Sequence, residues 1–425
     1  MKDVVVAATI WCCLLAPVSL LAREPDRSAV PVPPVHPADS AVAGEAVTVL
    51  PAEEFSAAFV GIYRKLMEIE AEIERYATTY GLDYDLARAV CLYESGGNAD
   101  LSSSAGAQGY FQLMPATYRS LRVQSNIEAG VKYLSQLVRQ FEREDLAVAA
   151  YNTGPARVAK RRPMPLETLQ YVIGVGHYRS VLKQYESSIR IHAQRLGLAS
   201  VRQGDTWGIL ARRVGISIVQ LRLHNPFLAA RPLRAGQFVA HPTSEPRVNP
   251  VAVVDGVPTF LTRHGDNYFN VAFTFDVELD GLREANSLWR LQPLPAGLKL
   301  TLPMSPRQGT DTVHVVQAGE ELDAIARRYA TDEWRLLRDN GLLTGGPVAP
   351  GATLRIRATK AAGPAVAASA ANPTLRHHRV ARGETLSAIA RRYGTSVAAI
   401  QRASALGSRT QIQVGQTLRI PAAAN

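Results

Sequence analysis

One glutamate is placed where its carboxyl group could work as a general acid. The run DLARAVCLYE has apolar residues at the spacing of one helix face, and two glycines, Gly96 and Gly97, follow and stop the helix. Asp83 or Asp85 can cap its start, which leaves Glu94 in the last, largely buried turn. Burial and the negative end of the helix dipole both disfavour the carboxylate, so we expect a raised pKa for Glu94. The alternative is a solvated glutamate at a helix end.

Two stretches after Glu94 contain the residue types of a sugar-binding site. The first is SSSAGAQGYFQ, and the second, AAYNTGP, begins at Ala149. Small residues let the backbone approach a ligand closely, and the amide of Gln112 follows two aromatic residues. Amides beside aromatic faces are typical of sites where sugar rings stack. Tyr151 and Asn152 stand just before a glycine-proline turn that ends the next helix.

Five motifs occur in one order along this part of the chain. They are ESGGN, S-x-A-G-A-Q-G-Y-F-Q-L-M-P-A-T, N-I-x-x-G-x-x-Y-L, A-Y-N-T-G-P and E-T-x-x-Y-V, and they lie between Glu94 and Val172, within a region of about residues 70–190. This region resembles the catalytic domain of the soluble-lytic-transglycosylase family, which is related in fold to goose-type lysozyme. The resemblance implies a mostly α domain, which we predict over residues 51–195. Two departures are Gly97, where an aromatic residue is often found, and a short link from Thr117 to Asn126.

The resemblance also implies a reaction on peptidoglycan. Glu94 would protonate the oxygen between N-acetylmuramic acid and N-acetylglucosamine and then act as a base on the muramyl 6-hydroxyl, giving a 1,6-anhydro sugar. Tyr151 would hold the Glu94 carboxyl, whereas Tyr171 and Glu167 would brace the cleft. The predicted substrate-binding residues are Ser103, Gln112, Tyr151, Asn152 and Tyr171. The sequence shows no metal cluster or phosphate-binding loop, so we predict no metal and no cofactor.

Two other functions stay open at this point. A lysozyme-type muramidase would hydrolyse the same bond and needs a second carboxylate, for which Asp100 is the nearest candidate. A catalytically inactive scaffold would bind peptidoglycan without cleaving it. The lack of a strong second carboxylate favours transglycosylation. The presence of Glu94 together with Gln112, Tyr151 and Asn152 argues against an inactive scaffold.

The second half of the chain contains four repeats. Their register is set by Gly204, Gly265, Gly319 and Gly383, each followed by an aspartate or glutamate. At a constant later offset stand Asn225, Asn286, Asn340 and Ser404, and further on stand Gly236, Gly297, Gly351 and Gly415. Each repeat has the pattern of a strand, two helices and a second strand. We refer to residues 198–242, 258–304, 312–358 and 377–421 as the first to fourth modules.

The modules resemble LysM modules, which bind glycans containing N-acetylglucosamine. The fourth is the clearest match, and the second is divergent. The resemblance places the glycan groove at the turn after the first strand and the turn before the second. The glycan-binding residues predicted there are Glu384, Thr385, Glu320, Asp205 and Thr206. Single modules should bind weakly, so we expect several of them on flexible tethers to act by avidity.

Composition and the N-terminus indicate an exported protein. The chain has 425 residues and a net charge of +10, which suits an acidic polymer such as peptidoglycan, and no nucleic-acid-binding module is present. Residues 1–22 resemble a signal peptide, with an uncleaved anchor or lipidation at Cys12 or Cys13 as alternatives. After cleavage Cys91 would be the last cysteine, and we interpret it as a core residue. Residues 23–50 and 359–375 have the composition of linkers.

These observations together predict a multidomain α+β protein. A mostly α lysozyme-like domain is followed by small βααβ modules. We expect a periplasmic or envelope-bound monomer whose partner is the peptidoglycan strand and whose membrane contact is limited to the N-terminal segment.

Overall fold

The computed structural model describes residues 49–103, 105–244, 246, 248–288, 292–304, 311–344 and 348–357, and then 376–381, 389, 400, 404, 413 and 415–420. The chain divides into two compact units, Met1–Ala362 and Gly363–Asn425. The predicted signal peptide 1–22, nearly all of the linker 23–50 and the linker 359–375 lie outside the described residues.

The first part of the larger unit is helical, as predicted. A 3-10 turn, Ala52–Glu54, precedes helices α1 (Ala57–Leu66), α2 (Glu70–Tyr80), α3 (Tyr84–Ser95), α4 (Pro115–Leu121), α5 (Asn126–Phe141), α6 (Glu144–Thr153), α7 (Pro155–Ala159) and α8 (Leu166–Gln194). Polar side chains satisfy free backbone N–H groups at three of the helix starts, through Ser56, Asp83 and Ser125. Asp83, rather than Asp85, is therefore the cap of α3.

Helix α3 is enclosed by the rest of the helical domain. Nine of its twelve residues are buried, and Cys91 is 0% exposed, which confirms its predicted role in the core. Arg88 is buried with them and pairs with Glu70 at 2.9 Å, with Glu186 at 2.6 Å and with Asp85. This network ties α3 to α2 and α8. Removing one partner of a buried ion pair leaves an uncompensated charge, so the network holds α3 in one position.

The modules are built from short antiparallel sheets and helix pairs. The first contains β1 (Leu196–Ser200), α9 (Trp207–Val214), α10 (Ile218–Leu223), α11 (Pro226–Ala229) and β2 (Phe238–Pro242). The second contains β3 (Val251–Val254), β4 (Val257–Leu261), α12 (Tyr268–Phe275), α13 (Leu279–Ala285) and β5 (Lys299–Thr301), and the third contains β6 (Asp311–Val315), α14 (Leu322–Arg328), α15 (Glu333–Asp339) and β7 (Thr353–Arg357). In the C-terminal unit β8 (Arg376–Arg379) pairs with β9 (Thr417–Ile420). In the second module β3 adds an extra strand, so the sheet order is β3-β4-β5.

The repeated asparagine fastens the second helix to the closing strand in each of the first three modules. Asn225 donates through Nδ2 to the carbonyls of Leu221 and Ala240, both at 2.7 Å, and accepts the N–H of Ala240 at 2.9 Å. Asn286 and Asn340 make the same three bonds within their own modules. The asparagine register that defined the repeats is therefore a structural one.

The repeated acid closes the turn before the first helix. Asp205 accepts the N–H of Arg202 at 2.7 Å, Asp266 accepts that of Arg263 at 2.8 Å, and Glu320 accepts that of Gln317 at 3.1 Å. The glycine just before each acid has a positive φ, between 77° and 91° in these three modules, which suits a residue without a side chain.

Helix α1 joins the helical domain to the first two modules. The N–H of Ser56 donates to the carbonyl of His264 at 2.9 Å, and the N–H of His264 donates to the carbonyl of Glu54 at 3.0 Å, so the second module is paired to the chain just before α1. On the same helix Gly61 leaves room for the first module, since a methyl group there would lie 2.0 Å from the carbonyl oxygen of His224.

Arg222 connects the first three modules with one another. It is 2% exposed on α10 and donates to the carbonyl of Thr274 in the second module at 3.0 Å and 3.2 Å. Its guanidinium also lies 4.0 Å from the ring centroid of Trp334 in the third module. The expectation of modules on flexible tethers is therefore wrong for the first three, because they pack against each other and the first two also contact α1. The described part of the C-terminal unit belongs to a separate compact body.

The close contact at Gly61 predicts a large effect of one methyl group. Gly61→Ala should lower the free energy of unfolding by about 1–3 kcal/mol, because two backbone segments would have to move apart. The matched control is Gly176→Ala in α8, where a methyl group meets nothing within 4 Å. That change should stabilise the protein by up to about 1 kcal/mol through helix propensity. Urea unfolding of both variants measures the difference, and equal stabilities would contradict the seating of the first module on α1.

Candidate active site

Glu94 lies where the sequence places it, in the last turn of α3. Its side chain is buried, with 3% of the residue exposed, and Gly96 ends the helix with a φ of 58°. The raised pKa expected from burial is present: enclosure in the protein raises the pKa of Glu94 to about 8. The group is therefore protonated at neutral pH, which is the state that a general acid needs.

The two oxygens of the Glu94 carboxyl have different surroundings. Oε1 accepts a hydrogen bond from the Tyr171 hydroxyl at 2.6 Å, and this bond lowers the pKa of Glu94 and offsets part of the effect of burial. Among the described residues, Oε2 has no hydrogen-bond partner although it is buried. A buried polar oxygen without a partner is costly and rare, and it indicates a position where a substrate atom or a water molecule could bind.

The sequence analysis expected Tyr151 to hold the Glu94 carboxyl, but the residue that does so is Tyr171. The Tyr151 hydroxyl donates instead to the carbonyl of Phe111 at 2.7 Å. Both tyrosines are close enough to Glu94 for its charge to raise their pKa values further above those set by burial. The hydroxyl that reaches Glu94 therefore comes from α8, through Tyr171, whereas Tyr151 of α6 holds the loop at Phe111.

The loop after α3 uses its polar side chains to hold its own shape. Gln112 adopts a positive φ of 45°, and its Nε2 donates to the carbonyls of Leu101 and Gly109 at 3.0 Å and 2.7 Å. Ser103 accepts the N–H of Ala107 at 2.9 Å. The amide nitrogen of Gln112 is therefore occupied, which leaves its carbonyl oxygen for any sugar contact.

Asn152 is joined to the start of α8. Its Oδ1 accepts a hydrogen bond from the Thr168 hydroxyl at 2.9 Å. Thr168 is buried in the first turn of α8, one turn before Tyr171, so the bond fixes the end of α6 against the helix that supplies the tyrosine. The sequence analysis did not identify Thr168, although its position in the E-T-x-x-Y-V motif was a usable signal.

A lysine that the sequence analysis missed supports the glycine turn after Glu94. Lys65 of α1 is 4% exposed and donates to Asn98 Oδ1 at 2.8 Å, and Asn98 in turn donates to the carbonyl of Ser95 at 2.7 Å. Burial lowers the pKa of Lys65 to about 7. Gly97 is required here, because it has a φ of 72° and a side chain would lie 2.9 Å from Lys65 Cβ. The departure from an aromatic residue at this position therefore makes room for α1.

The first module reaches the loop after Glu94. Gln237 donates to Asp100 Oδ2 at 2.6 Å, and Arg231 donates to the carbonyl of Ser102 at 3.1 Å. Asp100, the candidate second carboxylate, is thus engaged by a module side chain.

The predicted glycan-binding residues of the modules also have internal partners. Asp205 pairs with Arg213 at 2.8 Å, and the Thr206 hydroxyl donates to Glu333 of the third module at 2.7 Å. Glu320 contacts His314 at 2.7 Å. Glu384 and Thr385 lie outside the described residues. The described residues contain no group of three His, Cys, Asp or Glu side chains that could hold a metal ion. None of the described helices has the length and apolar character needed to cross a membrane.

Comparison with protein families assigns both parts of the chain. The model of the transglycosylase SLT domain matches residues 72–164, which include the glutamate, the loop and the Tyr151 helix. The LysM domain model matches residues 199–240, 314–357 and 378–421. The chain contains an SLT domain and three LysM domains. Both resemblances and the multidomain α+β fold class are confirmed, while the second module lies outside the matched LysM segments.

Individual proteins resemble the chain over different lengths. Membrane-bound lytic murein transglycosylase D of Escherichia coli K12 is 24% identical over 346 residues, which cover 73% of this chain and 67% of that protein. The soluble lytic murein transglycosylase of Salmonella typhimurium is 34% identical over 101 residues, or 20% of this chain and 16% of that protein.

Two further comparisons cover smaller shares. N-acetylmuramoyl-L-alanine amidase sle1 of Staphylococcus epidermidis is 27% identical over 166 residues, 38% of this chain and 51% of the amidase, so the chain spans about half the length of that relative. The solved structure of the 70 kDa soluble lytic transglycosylase of Escherichia coli is 23% identical, with a TM-score of 0.25 over 32% of this chain and 31% of that chain.

The contact between Tyr171 and Glu94 predicts a measurable change in acidity. Because the hydroxyl favours the carboxylate, Tyr171→Phe should raise the pKa of Glu94 by about 1. Tyr151→Phe is the matched control, since that hydroxyl binds a backbone carbonyl. Carbon-13 NMR titration of glutamate-labelled protein, with the Glu94 signal assigned from Glu94→Gln, gives both values. A shift in the control and none in Tyr171→Phe would reverse the two assignments.

The burial of Glu94 should also lower the free energy of unfolding as the pH rises. An unfolded glutamate loses its proton near the ordinary pKa of 4.5, whereas folded Glu94 keeps it to about 8. The unfolded state therefore binds fewer protons between these values, and the free energy of unfolding falls as pH rises through this window. Glu94→Gln lacks this penalty and should be more stable than the wild type at pH 8 by on the order of 3 kcal/mol, with little difference at pH 4.5.

Calorimetry at pH 5 and pH 8 tests this stability difference. The control is Glu53→Gln, which changes an exposed glutamate and should follow the wild type at both values. An equal gain from Glu94→Gln at both pH values would mean that Glu94 is ionised in the folded protein.

Proposed function

We propose that this protein is a peptidoglycan lytic transglycosylase that cleaves the β-1,4 bond between N-acetylmuramic acid and N-acetylglucosamine. The observation that carries the proposal is the buried Glu94 carboxyl, whose pKa is raised by burial, with one oxygen bound to Tyr171 and the other without a hydrogen-bond partner among the described residues. The SLT domain match over residues 72–164 supports the same reaction class.

One carboxyl group is enough for this reaction because the substrate supplies the nucleophile. The Glu94 proton passes to the bridging oxygen as the bond from that oxygen to the muramyl anomeric carbon breaks. The Glu94 carboxylate, stabilised by the Tyr171 hydroxyl, then takes the proton of the muramyl 6-hydroxyl, whose oxygen bonds to the anomeric carbon. Glu94 is protonated again at the end, the product carries a 1,6-anhydro ring, and no water is consumed.

The surroundings of Asp100 favour this reaction over hydrolysis. A glycosidase that uses water or a covalent intermediate needs a second carboxylate that faces the sugar. Asp100 is bound to Gln237 of the first module at 2.6 Å, so the nearest candidate in the sequence is occupied as a docking residue. Ser103, Gln112, Tyr151 and Asn152 then serve to shape the cleft and to present a small number of free oxygens to the sugar substituents.

The LysM domains supply the second part of the proposed function. Three LysM segments in a chain with a net charge of +10 suit attachment to an acidic glycan polymer. We place the protein in the bacterial cell envelope, in the periplasm, acting as a monomer on peptidoglycan strands. The resemblance to membrane-bound lytic murein transglycosylase D supports an envelope location.

Mass spectrometry of the products from purified peptidoglycan tests the proposed function. Wild-type protein should release fragments with 1,6-anhydro ends, and Glu94→Gln should lower the rate at least about a thousandfold while still sedimenting with the polymer. Asp100→Asn is the matched control and should keep the same products. Products heavier by one water, lost in Asp100→Asn, would establish a lysozyme-type muramidase instead. Absence of products, with sedimentation retained, would make the protein a binding scaffold.

A further inference from the structure

A cavity of about 110 Å³ lies between α8 and the second module. Gln170, Gly174 and His177 of α8 form one wall, and Tyr268 and Arg283 of the second module form the opposite wall. The residues of the second module come from the start of its first helix and from its second helix. The cavity therefore exists because this module is packed against the SLT domain.

The cavity contains a guanidinium group with little compensation for its charge. Arg283 is 8% exposed, and the ion pair that the structure describes for it is a 3.6 Å contact with Asp280, whose side chain is 93% exposed. Its guanidinium carbon lies 5.3 Å from the ring centroid of Tyr268. An anion bound in the cavity could form a closer, charge-assisted ion pair with this guanidinium than Asp280 does.

A second polar side chain lines the same cavity. His177 lines the cavity, and its Nε2 is buried with no hydrogen-bond partner among the described residues. Burial and the nearby His264 lower the pKa of His177, so the imidazole is neutral at pH 7 and can accept or donate one hydrogen bond. The lining therefore contains an imidazole with an unsatisfied nitrogen and a guanidinium whose described ion pair is long, and these are polar groups that a ligand could bind.

The remaining lining defines the rest of the ligand. Gln170 and Gln292 provide side-chain amides, and Leu166, Pro293 and the Tyr268 ring provide apolar surface. Leu166, the first residue of α8, is 58% exposed. This set suits a small ligand with a carboxylate, an amide and an apolar body.

We propose that this cavity binds a carboxylate-bearing, amide-bearing unit of the peptidoglycan strand, held by Arg283 and His177. The proposal rests on the proposed function and adds a substrate-holding site to it. Two parts of the polymer have this chemistry, the lactyl carboxylate of N-acetylmuramic acid and the D-glutamyl carboxylate of the attached peptide. The second module, which the LysM matches do not include, would thus hold substrate together with the SLT domain.

The site is one aromatic layer away from the catalytic acid. Tyr93 lines the cavity, and its ring meets that of Tyr171 edge-on with a centroid distance of 5.2 Å. Tyr171 is the residue that donates to Glu94. Tyr93 therefore connects the lining of the cavity to the tyrosine that donates to Glu94.

Binding can be followed at His177 in the full chain. Glu94→Gln protein with carbon-13-labelled histidine avoids turnover, and His177→Gln assigns the signal among the nine histidines. The ligands are N-acetylmuramic acid, the dipeptide L-alanyl-D-glutamate and, as a neutral comparison, N-acetylglucosamine. We expect one of the two carboxylates to shift the His177 signal in a saturable way and the neutral sugar to leave it unchanged. The carboxylate that does so identifies the source.

Two variants separate loss of the site from loss of the fold. Arg283→Gln should weaken this binding about tenfold or more, because a charge-assisted hydrogen bond is removed. Gln170→Ala changes the wall formed by α8, opposite Arg283, and should weaken the binding to a smaller degree. Arg327→Gln, at an exposed arginine of the third module, is the matched control and should bind as the parent does.

The outcomes distinguish this proposal from the proposed function. An unmoved His177 signal with both carboxylates, or equal affinities in Arg283→Gln and Arg327→Gln, would overturn the cavity proposal. If wild-type protein still released 1,6-anhydro products in that case, the proposed function would stand without it. A shift produced equally by the neutral sugar would also overturn it, because the charge of Arg283 would then have no role.

Discussion

The burial of the Glu94 carboxyl is the constraint on which the rest of the helical domain depends. A carboxyl group stays protonated at neutral pH when it is kept from water and from cations, and that requires rigid neighbours on every side. Helix α3 is fixed by the ion network of Arg88, α8 supplies the Tyr171 hydroxyl, and α1 closes over the glycine turn through Lys65. The Oε2 atom is buried within this enclosure and has no hydrogen-bond partner among the described residues.

The repeats show how one small fold is used in several ways. Each of the first three modules keeps the same asparagine clasp and the same acid that closes the turn, so the elements that maintain the fold are unchanged. The outer surfaces differ, and these differences decide what each module contacts. The first module carries Gln237 to the loop at Asp100, and the second presents Arg283 to the face of α8.

This arrangement connects glycan binding and catalysis more closely than tethers would. Arg222 joins the first three modules through two hydrogen bonds to the carbonyl of Thr274 and a contact with Trp334, and α1 contacts the first two of these modules. A substrate held by these modules would therefore have a defined distance to Glu94. Rigid positioning of this kind contributes to catalysis by orientation, whereas a tether raises only the local concentration.

The sequence by itself determined the features that depend on neighbouring residues. Helix periodicity and the glycine stop placed Glu94 at the buried end of a helix, with Asp83 and Asp85 both possible caps, and the glycine register defined four modules. These signals are local because a helix turn or a βααβ unit is specified by residues that are close along the chain.

Tertiary structure alone decided which distant groups meet. Tyr151 is half-buried and Tyr171 is buried, each on a helix, and the packing of α6 and α8 around α3 selects the hydroxyl that reaches Glu94. The same holds for Asp100 with Gln237 and for Gly97 with Lys65, since each pair joins segments that are far apart in the chain. The physical reason is that long-range contacts depend on how complete faces of helices and modules pack, and the spacing of residues within one segment contains no information about its partner.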